Sequence, residues 1–369
     1  MAIGHGPGEI VAVNRGFWHG RRVLVTGHTG FKGGWLALWL QALGGKVSGL
    51  ALPPPTTPSL FDVARVAQGM ESRLADLRDA QQVSAAVRAA DPEIVLHLAA
   101  QSLVRESYAD PVTTYATNVM GTVHLLEAMR SLPSLRAAVI VSSDKCYENR
   151  EWPWGYRENE PLGGFDPYSS SKACVELVAA TYRNSYFPPS RHSEHGVGIA
   201  TARAGNVIGG GDWATDRLIP DCIRALEAGV PVHIRFPNAV RPWQHVLEPL
   251  AGYLLLAERL HADGAGFAEA WNFGPADDGA RPVQWVVEEL VRGWGRGASW
   301  DVDSAPQPHE ANCLKLDCSK ARARLGWQPR WSLEVALAKV GAWHRALGEG
   351  ADMRDFTLAQ IHAFEAGDE

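Results

Sequence analysis

The stretch VLVTGHTGFKGGWLALWLQALG, residues 23–44, constrains the fold more than any other part of the chain. Residues 23–26 read as a short buried strand. Gly27, Gly30 and Gly33 follow at once, and residues 35–43 continue as an apolar helix that Gly44 and Gly45 end. A strand, a turn free of bulky side chains and a helix N-terminus let backbone approach an anion closely, and the helix dipole favours the negative charge. The spacing is GxxGxxG rather than the commoner GxGxxG, but it lies in the strand-to-helix context that such a turn requires.

The same rhythm continues. Residues 47–52 read as a strand that runs into PPPTTP, where prolines stop it. Residues 74–76 suit a short strand, 81–90 a helix closed by Asp91-Pro92, 94–99 a buried strand, 113–129 a long helix and 137–142 another strand. Alternating buried strands and helices predict an α/β fold, a Rossmann-like doubly wound parallel sheet. The second half has longer loops, with helices expected at 221–228, 247–260, 282–294, 319–325 and 333–347 and short strands at 230–234 and 270–273. It reads as a smaller, mostly C-terminal α/β lobe that binds substrate. The expected division is a flexible arm over 1–18, a dinucleotide-binding domain over 19–204 with later returns of chain, and a partly interleaved substrate lobe over 205–369.

Composition removes several classes. A net charge of -6 over 369 residues gives no bulk attraction to nucleic acid. No apolar run is long enough to span a bilayer and no signal peptide is visible, so no membrane partner and a cytoplasmic location are expected. Five scattered cysteines with no CxxC, and no HExxH, predict neither disulfides nor a metal site. The 14 tryptophans either wall ligand loops or fill the core.

Tyr168 and Lys172, four apart on a predicted helix, share one face. A nearby ammonium stabilises a phenolate and makes the tyrosine a base. Ser143 ends the strand before them, where α/β sites form, and supplies a hydroxyl. Asp144 and Lys145 come next. A carboxylic acid there can protonate a leaving hydroxyl, and a lysine can orient it or, if desolvated, exchange a proton. Arg203, Arg217, Arg235 and Arg241, with Asn206, are candidate donors for a diphosphate, and Arg105, after the fourth strand, is a candidate to face substrate. Trp213 and Trp243 either close over a ligand or pack, and Tyr253 and His309 are further substrate candidates.

The strings TGHTGFKG at 26–33, HLAAQ at 97–101, TNVMGT at 117–122, SSDKCY at 142–147 and YSSSK at 168–172 resemble the extended short-chain dehydrogenases/reductases, the NDP-sugar epimerases and dehydratases. The resemblance covers nearly the whole chain. It implies a dinucleotide held by Gly27, Thr29, Gly30, Phe31, Lys32, Gly33, Asp76, Leu77, Ala99, Ala100, Gln101 and Asn118, with Tyr168 and Lys172. It also implies that Tyr168 is the base for alcohol oxidation and that Ser143 bonds the substrate C4 oxygen. GLALPPP at 49–55 lacks the carboxylate that usually binds the adenosine ribose, and lacks an arginine for a 2′-phosphate. Asp76 is then the acid near adenine, and NAD is expected rather than NADP.

SSDKCYENREWPWGYRENEPLGGFDPYSSSK, RAGNVIGGGDWATDRLIP and RPWQHVLEPL resemble the branch of that family that dehydrates CDP-sugars. Relatives acting on dTDP- or GDP-sugars typically carry Asp-Glu where this chain has Asp144-Lys145. The likeness implies conversion of CDP-D-glucose to CDP-4-dehydro-6-deoxy-D-glucose and water. The expected course is C4 oxidation, C5/C6 elimination with Asp144 as acid, and hydride return to C6, with NAD regenerated each turn. It implies a homodimer through helices 113–129 and 168–186, alone or paired into a tetramer. The alternatives are another NDP-sugar 4,6-dehydratase or a nucleotide-sugar 4-epimerase, which would give Asp144-Lys145 no task.

Overall fold

The computed structural model describes residues 11–276, 279–295, 297–302 and 313–369. Strands β1 (Arg22–Thr26), β2 (Lys46–Ala51), β3 (Glu71–Leu74), β4 (Ile94–His97), β5 (Ala137–Val141) and β6 (Gly198–Ala204) form one parallel sheet. Side chains alternate across it, as strand geometry dictates. Val23, Val25, Leu96 and Val139 join the core on one face, with helices Phe31–Ala42 and Leu247–Ala262. Leu24, Val95, Ala138 and Ile140 join the other, with helices Ala80–Ala90, Gly121–Met129 and Pro167–Ser185. Burial on both faces is why these strands read as unbroken apolar runs.

The chain then builds the lobe with β7 (Asn206–Ile208), β8 (Val232–Ile234) and β9 (Val240–His245), and returns to the main sheet as β10 (Ala270–Phe273) beside β6. β11 (Ala280–Pro282) pairs with β9, and β12 (Trp300–Val302) with β8. The main sheet runs β10-β6-β5-β4-β1-β2-β3. Order reverses between β1 and β4, so the crevice beyond their carboxyl ends is the place for a ligand. Ile208, Ile223, Ile234, Val286, Leu290 and Leu337 are among the side chains of the lobe's own core.

Several local expectations shift. The third strand lies at 71–74 rather than 74–76. It is an edge strand with all four residues exposed, so it lacks the apolar signature. The expected 113–129 helix is three pieces: Pro111–Tyr115, a π-turn at Ala116–Met120, and Gly121–Met129. The helix Met353–Ala366 was not foreseen. Asp352 caps it, and Phe364 packs edge-on against Trp39 of the glycine-turn helix at 5.7 Å. The arm is not loose over residues 11–18. The Trp18 indole is buried and donates to Glu258 at 2.7 Å, and Val11 N donates to Gly326 O at 3.2 Å. Eight of the 14 tryptophans are buried, and Trp18, Trp35, Trp39, Trp271, Trp327 and Trp343 almost fully so.

Candidate active site

The glycine turn is closed by contact rather than by preference alone. Gly27 has φ +79°, and a Cβ there would lie 2.8 Å from Ala99 N. At Gly33 a Cβ would lie 2.1 Å from Gly27 O, so nothing larger fits without moving the turn. Gly30 caps the helix that begins at Phe31, leaving its first N–H groups facing the crevice. Thr29 Oγ1 donates to Leu52 O at 2.8 Å and ties the turn to the end of β2. Such a turn fits the diphosphate of a dinucleotide.

Behind it lies a buried polar chain. Thr26 Oγ1 and His97 Nδ1 are 2.6 Å apart, and His97 Nε2 is 3.0 Å from Thr122 Oγ1. Burial pushes His97 down to about 3, so the ring is neutral. Asn118, presented by the π-turn, accepts from Gln101 N at 2.8 Å, and its amide donates to Gln101 O at 3.0 Å and Ser171 Oγ at 2.8 Å. It holds the Ala99–Ala100–Gln101 segment in place instead of lining the crevice.

At the far end Leu77 and Asp76 line the crevice. Arg78 binds the Asp76 carboxylate at 2.6 and 2.9 Å, and these hydrogen bonds hold it below the usual carboxylate range. No carboxylate lines the wall just after β2, where Leu52, Pro53 and Pro55 stand. His28 packs over Gly49, where a Cβ would lie 2.5 Å from its ring, and bonds Ser72 Oγ at 2.7 Å.

The reactive groups meet at the end of β5. Ser143 donates to Asp144 Oδ1 at 2.9 Å and accepts from Lys145 N at 3.2 Å, which folds Asp144–Cys146 into a 3-10 turn. Asp144 is 3% exposed, and its Oδ2 has no hydrogen-bond partner among the described residues. Burial raises its pKa, opposed chiefly by the Lys145 charge. Helix Pro167–Ser185, capped by Asp166, brings Tyr168 and Lys172 to the same wall.

Their electrostatics differ from the sequence expectation. Lys172 turns its ammonium to Val141 O at 3.2 Å, and burial lowers it to about 8. Burial also pushes the Tyr168 phenol up to about 12, and the neighbour that most offsets this is the Ser143 hydroxyl, not Lys172. Sharing a helix face does not by itself point two side chains at each other.

Tyr253 does not reach the cavity. It is fully buried, and its hydroxyl accepts from Lys32 Nζ at 2.9 Å. Burial, then the Lys172 charge, lowers Lys32 to about 7. Arg203 is likewise in the core, 2.9 Å from Glu176 with both side chains 3% exposed, and is no ligand donor. His309 lies outside the described residues.

One cavity of about 1510 Å³ joins these parts. Its lobe wall carries Asn206, Arg217, Arg235 and Arg241, and Arg105 faces them from the segment after β4. Trp213 and Trp243 line it but mainly pack. Trp213 lies edge-on to Trp343 at 5.7 Å, and Trp243 Nε1 donates to Arg281 O at 3.1 Å. Arg105 and Arg235 both reach Asp216, at 3.2 and 3.4 Å, and Arg217 reaches Asp212 at 3.0 Å and Ser102 at 2.8 Å. Sequence reasoning missed Asp212, Asp216 and Ser102, because acids beside arginines in a loop carry no motif. Among the described residues no group of histidines, cysteines or carboxylates could hold a metal, the cysteines are free, and no helix is long and apolar enough to cross a membrane.

Known proteins were compared with this chain. The family profile described as GDP-mannose 4,6 dehydratase matches residues 24–340. A protein of Salmonella typhimurium named CDP-glucose 4,6-dehydratase is 56% identical over 341 residues, covering 92% of this chain and 95% of that one. A dTDP-glucose 4,6-dehydratase of Streptomyces antibioticus is 29% identical over 277 residues, covering 73% and 75%. Among solved structures, the UDP-glucose 4-epimerase of Thermus thermophilus in complex with NAD superposes with TM-score 0.75 at 26% identity, covering 88% of this chain and 98% of that one.

Proposed function

The chain belongs to the nucleotide-sugar dehydratases of the extended short-chain dehydrogenase/reductase family, and from that premise we propose that it converts CDP-D-glucose to CDP-4-dehydro-6-deoxy-D-glucose and water. The observation that carries this reading is Asp144, a buried carboxyl group with one free oxygen beside Ser143, Tyr168 and Lys172. Oxidation alone needs only the last three. A 4-epimerase would leave the buried acid without a task.

NAD is the cofactor: when bound it accepts a hydride from C4 and returns it at C6. The glycine turn would hold its diphosphate, and Asp76 and Leu77, at the far end of the crevice, would meet its adenine. Tyr168 takes the proton of the C4 hydroxyl. Its phenol is high at about 12, so the base form needs help from the Ser143 hydroxyl, the neighbour that most lowers it. Ser143 bonds the C4 oxygen as it becomes a ketone, which acidifies the C5 proton. Asp144, whose pKa burial raises, gives a proton to the departing C6 hydroxyl. Lys145 orients that acid or relays the C5 proton. Arg217, Arg235 and Arg241, with Asn206 and Arg105, hold the nucleotide diphosphate.

The enzyme works as a homodimer in the cytoplasm. Supporting the dimer, Val112, Met120 and Leu177 stand exposed on helices at 111–129 and 167–185, and Tyr186 just past the second, more apolar surface than a solvated helix pair needs. Incubation with CDP-, dTDP-, GDP- and UDP-glucose, followed by mass measurement, tests the reading. Loss of one water from CDP-glucose is expected, and a product of unchanged mass would reject it in favour of an epimerase.

A further inference from the structure

Three of the arginines proposed for the substrate diphosphate, Arg105, Arg217 and Arg235, are already engaged by carboxylates of the lobe. Asp216 is the most telling. It lies in the loop between β7 and helix Leu218–Ala228, and lines the cavity. Arg105 approaches it to 3.2 Å from the Rossmann side, and Arg235 to 3.4 Å from the lobe side. One carboxylate therefore bridges two guanidinium groups that belong to opposite walls. Its neighbour Arg217 makes a second tie across the same gap, to Ser102 at 2.8 Å. Asp216 has φ +60°, in the left-handed region, which aspartate adopts more readily than most side chains yet rarely without cause.

Asp216 offers these guanidinium groups one negative charge, where a diphosphate brings at least two. Bidentate pairing with phosphate oxygens uses the same donor edges that Asp216 occupies. The pairs are also weak enough to exchange. Arg105 is 45% exposed, Arg235 27% and Asp216 41%, so each is wet and contributes little.

We propose that Asp216 is an internal placeholder for the substrate's diphosphate. It holds Arg105 and Arg235 together across the cleft and yields them when the nucleotide sugar enters. It is a positioning residue. It keeps two long side chains in register, and a ligand takes them from it only with phosphate charge. The inference rests on the nucleotide-sugar reading above.

The test is binding of CDP and of cytidine to the full-length wild-type protein and to Asp216→Asn, by calorimetry at two salt concentrations. Asn tolerates the same backbone conformation but releases both arginines from an ion pair. Asp216→Gly, which removes the carboxylate and any backbone strain together, is the second variant. Both variants should bind CDP about three- to tenfold more tightly than wild type, from the loss of two exposed pairs, with a steeper loss of CDP affinity on adding salt and unchanged affinity for cytidine. Wild-type affinity for CDP that is matched or exceeds that of both variants overturns the proposal. So does equal tightening for cytidine, which would mean a loosened loop and not a released charge. If wild type fails to bind CDP at all, the nucleotide-sugar reading falls and this inference with it. CDP binding without a gain in the variants overturns this inference alone.

Discussion

The Ser143 hydroxyl donates to Oδ1 of Asp144 at 2.9 Å, and the second oxygen of that carboxyl group is buried with no partner among the described residues. The serine thus fixes one edge of the acid and leaves the other without a hydrogen bond. Asp144→Asn keeps the shape and removes the acid. It should still reduce the bound dinucleotide when CDP-glucose is added, because Tyr168, Lys172 and Ser143 are intact, while releasing little dehydrated sugar. Single-turnover absorbance of the reduced nicotinamide, paired with mass analysis of the quenched sugar, reads both steps. Wild-type rates for both would remove Asp144 from the elimination.

Tyr168→Phe deletes the oxygen proposed to take the proton of the C4 hydroxyl. Turnover should nearly vanish while the dinucleotide stays bound, since the glycine turn is untouched. Full activity of the variant across neutral pH is the contrary result.

The substrate-lobe strings make CDP-glucose the expected preference by kcat/KM over dTDP-glucose. A tenfold difference corresponds to only about 1.4 kcal/mol, which one or two pocket contacts can supply. A tenfold preference for dTDP-glucose would reject the nucleobase assignment without touching the reaction.

Glu176 and Arg203 form a core pair, tied also to Ser142, Thr201 and Tyr147. Glu176→Gln leaves the Arg203 charge buried and uncompensated, and should destabilise the fold by about 3–5 kcal/mol. The midpoint of urea unfolding measures it. A change below about 1 kcal/mol would mean that water reaches the pair.

Burial raises the Glu258 carboxyl from 4.5 to about 7, against hydrogen bonds from Asn14 N and the Trp18 indole. A raised pKa means that the folded state binds more protons than the unfolded one between these values, so stability is lost as pH rises through them. Gln at this position keeps an acceptor for both donors and does not titrate. The melting temperature of Glu258→Gln should therefore gain on wild type as the buffer moves from about pH 5 to about pH 8. A constant gap would show that Glu258 titrates normally.

The sequence alone carried the α/β alternation, the glycine turn, the pair Tyr168–Lys172 and the reactive run Ser143–Asp144–Lys145. Each is a local pattern: strand and helix periods, the need for Gly33 to lack a Cβ, and residues adjacent or one helical turn apart. The strand that hid, β3, hid because an edge strand exposed on both faces shows no apolar period.

Only tertiary structure decided what each polar side chain meets. Arg203 and Tyr253 looked like ligand groups by their neighbourhood in sequence, but β6 and helix Leu247–Ala262 turn them into the core, onto Glu176 and Lys32. Lys172 was expected to lower the Tyr168 phenol, yet β5 offers its ammonium the Val141 carbonyl and burial dominates both groups. The Arg105–Asp216–Arg235 bridge joins residues from two walls of one cavity, more than 100 positions apart at one step and 19 at the other. Hydrogen bonds and desolvation depend on which surfaces the fold brings together, and a linear pattern records only which residues are available.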